Sequence, residues 1–410
     1  LLDGIARMKP LSLLDTAIEN NGVSGGMLGL KDTQTTGSFL NHHYRMQTVM
    51  LEPAADLVSR YRRLVAEGHR LFIADLDARD IESIAGLVEN VLIFSIRAKD
   101  DILRNEKCHP NVFHIPPSRS MLADALTQYL LWKRWNEVVL ITGRHAGDRA
   151  YAAALKRAAV RFGLKIVQEK NWTAVPGARR TESGHHSLQQ EIPVFTQFKD
   201  HDVLLVADER DEFGEYLSYR TTRARPVAGT QGLHPTAWHR TQEQWGATQL
   251  QRRFAKLAKR WMTELDYSAW AAVRSFGEAV TNTGSNDPGV LREFMLSKKF
   301  KLAGFKGVPL TFRDWNGQLR QPILVVAPRM LVTVSPQAGF LHEHSELDTL
   351  GFDQPESSCQ GFWPKIQCRT FEGANREILC KQNLDPDALR LRGKFTACVC
   401  LHHLCVERKR

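Results

Sequence analysis

The chain has 410 residues, 43% apolar and 24% charged, with a net charge of +10. This is the balance of an ordinary globular protein of two or three domains, or of one large two-lobed molecule, and no apolar run is long enough to span a bilayer. Positive charge suits an anionic partner, but no Cys/His finger spacing, aromatic RNP-like strand or dense basic block beyond Arg408-Lys409-Arg410 points to nucleic acid.

The chain opens LLDG, without an initiator Met and without a signal-peptide pattern, so export is not legible at this end. In chain order, apolar runs that read as buried parallel strands are MLGLKD, LFIAD, VLIFS, EVVLIT, LKIVQE and DVLLVAD. Helical patterns alternate with them. AADLVSRYRRLVAEGH puts Leu57, Tyr61, Leu64 and Val65 on one face; SMLADALTQYLLWKRW and DRAYAAALKRAAVRFG follow, the latter stopping at Gly163. The alternation runs from about Gly26 to Trp132 and restarts at Glu137, which predicts two doubly wound α/β units in series. Two further helices, DYSAWAAVRSFGEAV and DPGVLREFML, precede the strand-like runs GVPLTFRDWNGQLRQPILVVAP, with a turn at Asn316-Gly317, and MLVTVSP.

In open parallel sheets ligands sit beyond the carboxyl ends of the strands. This rule selects Thr35 and Thr36 after the first run, Asp75 after the second, and Arg97 and Lys99 after the third. In the second unit it selects Arg144 and Arg149, Trp172, Asp208, and the stretch GTQGLHPTAWHRTQEQWGATQ. Four cations at such positions suit a ligand carrying several carboxylates, since arginine holds carboxylates bidentately; surface ion pairing is the competing reading of each. Thr241 to Gln244 fits a capping box, which places Trp245 inside a helix as a packing residue. Trp238 then falls in the loop before it, as a stacking surface for a flat ligand. Trp132, Trp135, Trp261 and Trp270 fall in helical patterns and read as core.

Enzymatic signatures are weak. GxSxG and GxxxxGK[ST] are missing, and HEHSE from His342 has Glu346 where a zinc protease needs its second His. Asp75, Asp77, Asp208 and Asp211 could act as acid and base, with helix caps and solvated loop ends as the simpler reading. Of seven cysteines only Cys108 lies before Cys359; Cys368, Cys380, Cys398, Cys400 and Cys405 follow, with His402-His403. Zinc binding and disulfides both remain open for that tail.

The segments DTQTTGSF, CHPNVFHIPPSRSMLADALTQYLLWKRW, DVLLVADERDEFGEYLSYRT, RPVAGTQGLHPTAWHRTQEQWGATQLQRRF, FKGVPLTFRDWNGQLRQPILVVAPR and SPQAGFLHEHSELDTLGFDQPESSC carry a family resemblance over most of Gly22 to Cys359. The chain resembles the type I periplasmic solute-binding proteins of ABC transporters. More closely, it is similar to the substrate-binding protein of the PQQ-dependent alcohol dehydrogenase system. The resemblance implies a two-lobed α/β fold with three crossovers, near Pro117, Thr248 and Arg320. The first lobe would comprise 22–117 and 249–320, the second 118–248 and 321–358, with 359–410 a cysteine-rich tail outside the match. It implies a periplasmic, monomeric, non-enzymatic protein without a metal or catalytic cofactor. That protein would capture pyrroloquinoline quinone (PQQ), a flat tricarboxylate, or a related anionic aromatic ligand for the membrane subunits of an ABC transporter. Rival readings are an amino-acid-like solute held through Asp208, a sensor subunit, and a two-lobed enzyme using cleft carboxylates.

Overall fold

In a computed structural model of the chain, residues 1–4, 17–51, 56–173, 182–360 and 362 are described, together with four short strands at Cys368–Thr370, Ile378–Cys380, Cys398–Leu401 and Leu404–Glu407. Contacts divide the chain into Leu1–Phe362 and Trp363–Arg410. In the smaller unit the short strands pair antiparallel, first with second and third with fourth.

In the larger unit the elements run β1 (Leu2–Asp3), α1 (Val23–Phe39), β2 (Val49–Met50), α2 (Leu57–Ala66), β3 (Leu71–Asp75), α3 (Ala78–Ala85), β4 (Leu92–Ser95) and β5 (Val112–His114). Then come α4 (Arg119–Trp132), β6 (Glu137–Thr142), α5 (Ala146–Phe162), β7 (Lys165–Asn171), α6 (Glu182–Phe195), β8 (Val203–Ala207), α7 (Gly214–Arg220), β9 (Val227–Gly229) and β10 (His234–Thr236). Helices α8 (Ala247–Ala258), α9 (Glu264–Thr283) and α10 (Pro288–Leu296) lead to β11 (Leu302–Ala303), β12 (Pro309–Phe312), β13 (Leu319–Arg320), β14 (Ile323–Ala327) and β15 (Met330–Ser335). No helix among the described residues is long and apolar enough to cross a membrane.

Two parallel sheets organise two lobes, with strand orders β2-β1-β3-β4-β5 and β7-β6-β8-β9. Phe94, Phe113, Trp270, Leu310 and Leu319 share one buried cluster on the first sheet; Leu126, Leu140, Leu155, Leu205 and Val325 share another on the second. The chain passes between these cores after β5, after β10 and after β13. Trp238 already packs in the first core, so the second passage lies ahead of Thr248, where the resemblance put it. The first lobe also reaches back beyond Gly22, because β1 pairs with both β2 and β3.

MLGLKD, expected as a strand, is helical within α1. Its glycines explain why. A Cβ at Gly25 would lie 1.9 Å from the Asp266 carbonyl oxygen, and one at Gly29 would lie 2.9 Å from Val273 Cβ. In return, a Cβ at Gly277 would lie 2.3 Å from Thr33 Cγ2. Gly25, Gly29 and Thr33 recur at helical spacing and form a small-residue face that lets α9 approach closely. That helical period was legible; the apolar run beside it hid it.

Cys359 does not belong with the tail cysteines. It is disulfide-bonded to Cys108 across 251 residues, with Cα atoms 5.6 Å apart. Just before it, Arg157 reaches Glu356 at 3.0 Å and the buried Arg313 reaches Asp348 at 2.9 Å. The segment leading to Cys359 is thus held by side chains of both lobes. His402 and His403 lie outside the described residues, and no side chain beyond Phe362 is described.

Candidate functional site

Of the predicted cations, Arg97, Lys99 and Arg144 each lie at a strand end beside an acidic partner. Asp75, buried at the end of β3, accepts from Nε and Nη2 of Arg97, which follows β4; the Nη2 contact is 3.0 Å. Lys99 lies 2.6 Å from Glu264 at the first turn of α9, and Glu264 also accepts from the Ala237 N–H at 2.7 Å. Burial acts to raise the Glu264 carboxyl, but Lys99 and this N–H outweigh it and hold it at about 2.

In the second lobe Arg144 forks onto Glu212 with two contacts of 2.9 Å, and His145 Nε2 lies 2.8 Å from the same carboxylate. Hydrogen bonds from Arg144 hold Glu212 at about 2. Arg149 is exposed in the first turn of α5 and donates to the Arg144 carbonyl. Asp208 is buried and accepts from the backbone N–H groups of Glu212, Phe213 and Gly214, at 2.9, 2.8 and 2.8 Å. Three such bonds anchor the start of α7. Asp77 caps α3 by accepting from Asp80 N at 3.0 Å. The cap reading therefore accounts for both acids.

Several placements differ from expectation. Thr35 and Thr36 lie exposed on helix α1, not in a strand-end loop, and the Thr35 hydroxyl donates to the Lys31 carbonyl. Trp172 is buried and stacks on Phe213, with ring centroids 4.8 Å apart. Trp238 is also buried; its ring lies flat on Tyr267, with centroids 4.4 Å apart and planes 4° apart. Trp245 is 51% exposed. The expected capping box at Thr241 does not form, because the helix begins only at Ala247. Trp245 and Gly246 have φ of 52° and 82°, outside helical geometry. A Cβ at Gly307 would lie 2.7 Å from the Trp245 ring, so the indole rests against that glycine. Trp132 and Trp261 are likewise exposed, whereas Trp270 is core.

The sequence did not single out Arg119, Glu212, Glu264 or Lys306. Arg119 opens α4 directly after Pro116-Pro117-Ser118, with Ser118 as N-cap. Its nearness to the expected Pro117 crossover was the available signal. Lys306 is buried; its ammonium donates to Gln321 Oε1 at 2.6 Å and to the Pro322 carbonyl at 2.9 Å, beside the third passage between lobes. Among the described residues no group of three or more His, Cys, Asp or Glu could hold a metal ion, and His342 pairs with Asp353 at 3.0 Å. A cavity of about 870 Å³ lined by Leu1, Arg70, Leu71 and Phe276 lies at the opposite, amino edge of the first sheet.

Residues 53–177 match the family model described as periplasmic binding protein. No curated protein matches the chain in sequence. Among solved structures, a periplasmic binding protein from Burkholderia mallei is 15% identical with a TM-score of 0.60, covering 88% of this chain and 97% of that one. The leucine-, isoleucine-, valine-, threonine- and alanine-binding protein of Brucella ovis, in a closed conformation, is 13% identical with a TM-score of 0.59, covering 87% and 95%. A solute-binding protein of an ABC transporter from R. palustris, in complex with benzoate, is 11% identical with a TM-score of 0.59, covering 84% and 97%. The chain therefore has the two-lobed α/β fold of the type I periplasmic binding proteins.

Proposed function

We propose that the chain is a periplasmic solute-binding protein that closes its lobes on one small anionic ligand, PQQ or a related anionic aromatic compound, and delivers it to the membrane subunits of an ABC importer. It acts as a monomer and returns the ligand unchanged. The observation that carries this reading is the set of ion-paired cations at the ligand edges of both lobes: Arg97 and Lys99 on the first, Arg144 on the second, and Arg119 between them. Ligand binding to both lobes at once shifts an open–closed equilibrium.

Because every one of these cations already holds a carboxylate, an incoming anion exchanges with it. Such exchange favours a ligand that satisfies several cations together. The benzoate complex of the R. palustris protein supports an aromatic carboxylate as the ligand class. An amino-acid ammonium held by Asp208 is less favoured, since that carboxylate is engaged by three backbone N–H groups. The stacking surface is not Trp238 in its present position, because both its surroundings and its flat contact with Tyr267 place it in the core. Calorimetric titration with PQQ, followed by recovery of the ligand, tests the proposal. One site per chain and unaltered PQQ are expected; no heat at high micromolar concentration, or a changed product, would overturn it.

A further inference from the structure

Arg119 differs from the other rim cations in spanning the lobes. Its Nη1 lies 2.8 Å from Asp100 Oδ1, just beyond β4 of the first lobe. Its Nε and Nη2 grip both oxygens of Glu209, just beyond β8 of the second, at 2.7 and 2.8 Å. Its backbone N–H donates to the Lys99 carbonyl at 2.8 Å, so the guanidinium starts from the first lobe's ligand edge and reaches the second's. The side chain is 11% exposed, that of Glu209 26%.

Glu209 is held by its backbone, whose N–H donates to Asp148 Oδ1 at 2.8 Å; its carboxylate lies over Gly147 in the first turn of α5. A Cβ at Gly147 would lie 2.3 Å from Glu209 Oε2 and 3.5 Å from Arg119 Nη2. Absence of a side chain there gives the carboxylate its room. Four residues on, on the same helix face, Tyr151 is 3% exposed and its hydroxyl has no partner among the described residues. Helical side chains lean toward the N-terminus, so this hydroxyl leans toward the turn that Glu209 covers. A buried hydroxyl without a partner is costly unless something supplies one.

We infer that Arg119 is the residue that receives the ligand's carboxylate, and that Glu209 occupies that place until the ligand arrives. The inference rests on the solute-binding reading and assigns its ligand class: a compound with at least one free carboxylate that replaces Glu209 in the Arg119 fork. The exchange conserves charge at the guanidinium and keeps its two charge-assisted hydrogen bonds. Glu209 then swings out on its own side chain, with its backbone fixed. Smaller anions that satisfy only Arg119 gain little over Glu209, which is how the placeholder confers selectivity.

The test is calorimetric titration of the full chain with PQQ and with benzoate. Glu209→Gln removes the competing charge and should tighten whichever probe the unmodified protein binds by at least about tenfold. Arg119→Lys keeps the charge but loses the fork, and should weaken that probe by at least about tenfold. PQQ trimethyl ester, which has no carboxylate, should not distinguish Glu209→Gln from the unmodified protein. Ligand-free melting reports whether each variant folds; if Glu209→Gln melts early, Glu209→Asp, whose carboxylate is one methylene shorter, is judged by the same gain. Binding that is unchanged or weaker in the Glu209 variant overturns the placeholder and leaves the solute-binding reading standing. No binding of either probe by any form of the protein overturns both.

Discussion

Behind Trp238, Lys306 lies 5.0 Å from the centroid of the Tyr267 ring and donates to two neutral oxygens, while at the rim Arg97, Lys99, Arg119 and Arg144 each hold a carboxylate. In the interior, burial lowers the Lys306 ammonium to about 7, partly offset by Glu264. At the rim, Arg144 and Lys99 lower the carboxyls of Glu212 and Glu264. The contrast separates scaffold from site. An anion can replace an anion at the rim with little change in net charge. Lys306 donates to neutral oxygens, and bringing a new charge beside it carries a desolvation cost. The Trp238–Tyr267–Lys306 stack therefore braces the third passage between lobes, and the proposed ligand exchange is assigned to the rim.

The largest expected effect comes from removing part of the scaffold. Trp238→Ala should cost about 3–5 kcal/mol of stability, because it empties a packed core position. Trp245→Ala, at a half-exposed indole, should cost less than about 1 kcal/mol. Denaturant unfolding measures both; equal losses would erase the distinction between interior and rim. Next comes the rim itself. Arg97→Ala should weaken PQQ binding by about 2–5 kcal/mol, part of it from leaving Asp75 without this partner. Arg149→Ala, at an exposed residue bonded to a carbonyl, should change binding by less than about 1 kcal/mol. Comparable losses would point to general charge instead of a built site.

A third comparison concerns the end of the larger unit. A chain ending at Ser358 loses both the Cys108–Cys359 bond and Phe362, which packs against Gly317 and Arg292. It should lose about 2–4 kcal/mol of stability. A chain ending at Phe362 should unfold like the full chain; similar melting of the two truncations would show that the bond contributes little.

The smallest effect is a pH dependence. The unfolded chain keeps the Lys306 proton up to about 10.5, whereas the folded chain releases it near 7. Between those values the unfolded state binds more protons, so stability rises with pH. The melting temperature of the unmodified protein relative to Lys306→Met should therefore climb from pH 7 to pH 9. A flat difference would mean that the buried lysine is not the group responsible.

Much of the fold was legible because its strands are short apolar runs bounded by polar loops: LFIAD, EVVLIT and DVLLVAD became β3, β6 and β8 with little change. Strand β1 was not, since two residues carry no period of their own. The rim cations were legible by their place after strands. Their partners were not, because pairing is a long-range outcome: Lys99 and Glu264 are 165 residues apart, Arg119 and Glu209 90. Trp238 shows the same limit in reverse. Position in a loop before a helix says nothing of depth, and Tyr267, which buries it, comes from α9.

Lobe closure on an anionic aromatic ligand is the central claim, and small-angle X-ray scattering at saturating PQQ tests it most directly. The radius of gyration should fall on PQQ addition and stay unchanged with the trimethyl ester. Identical scattering with and without PQQ, at concentrations where calorimetry shows the site filled, would contradict closure between the lobes.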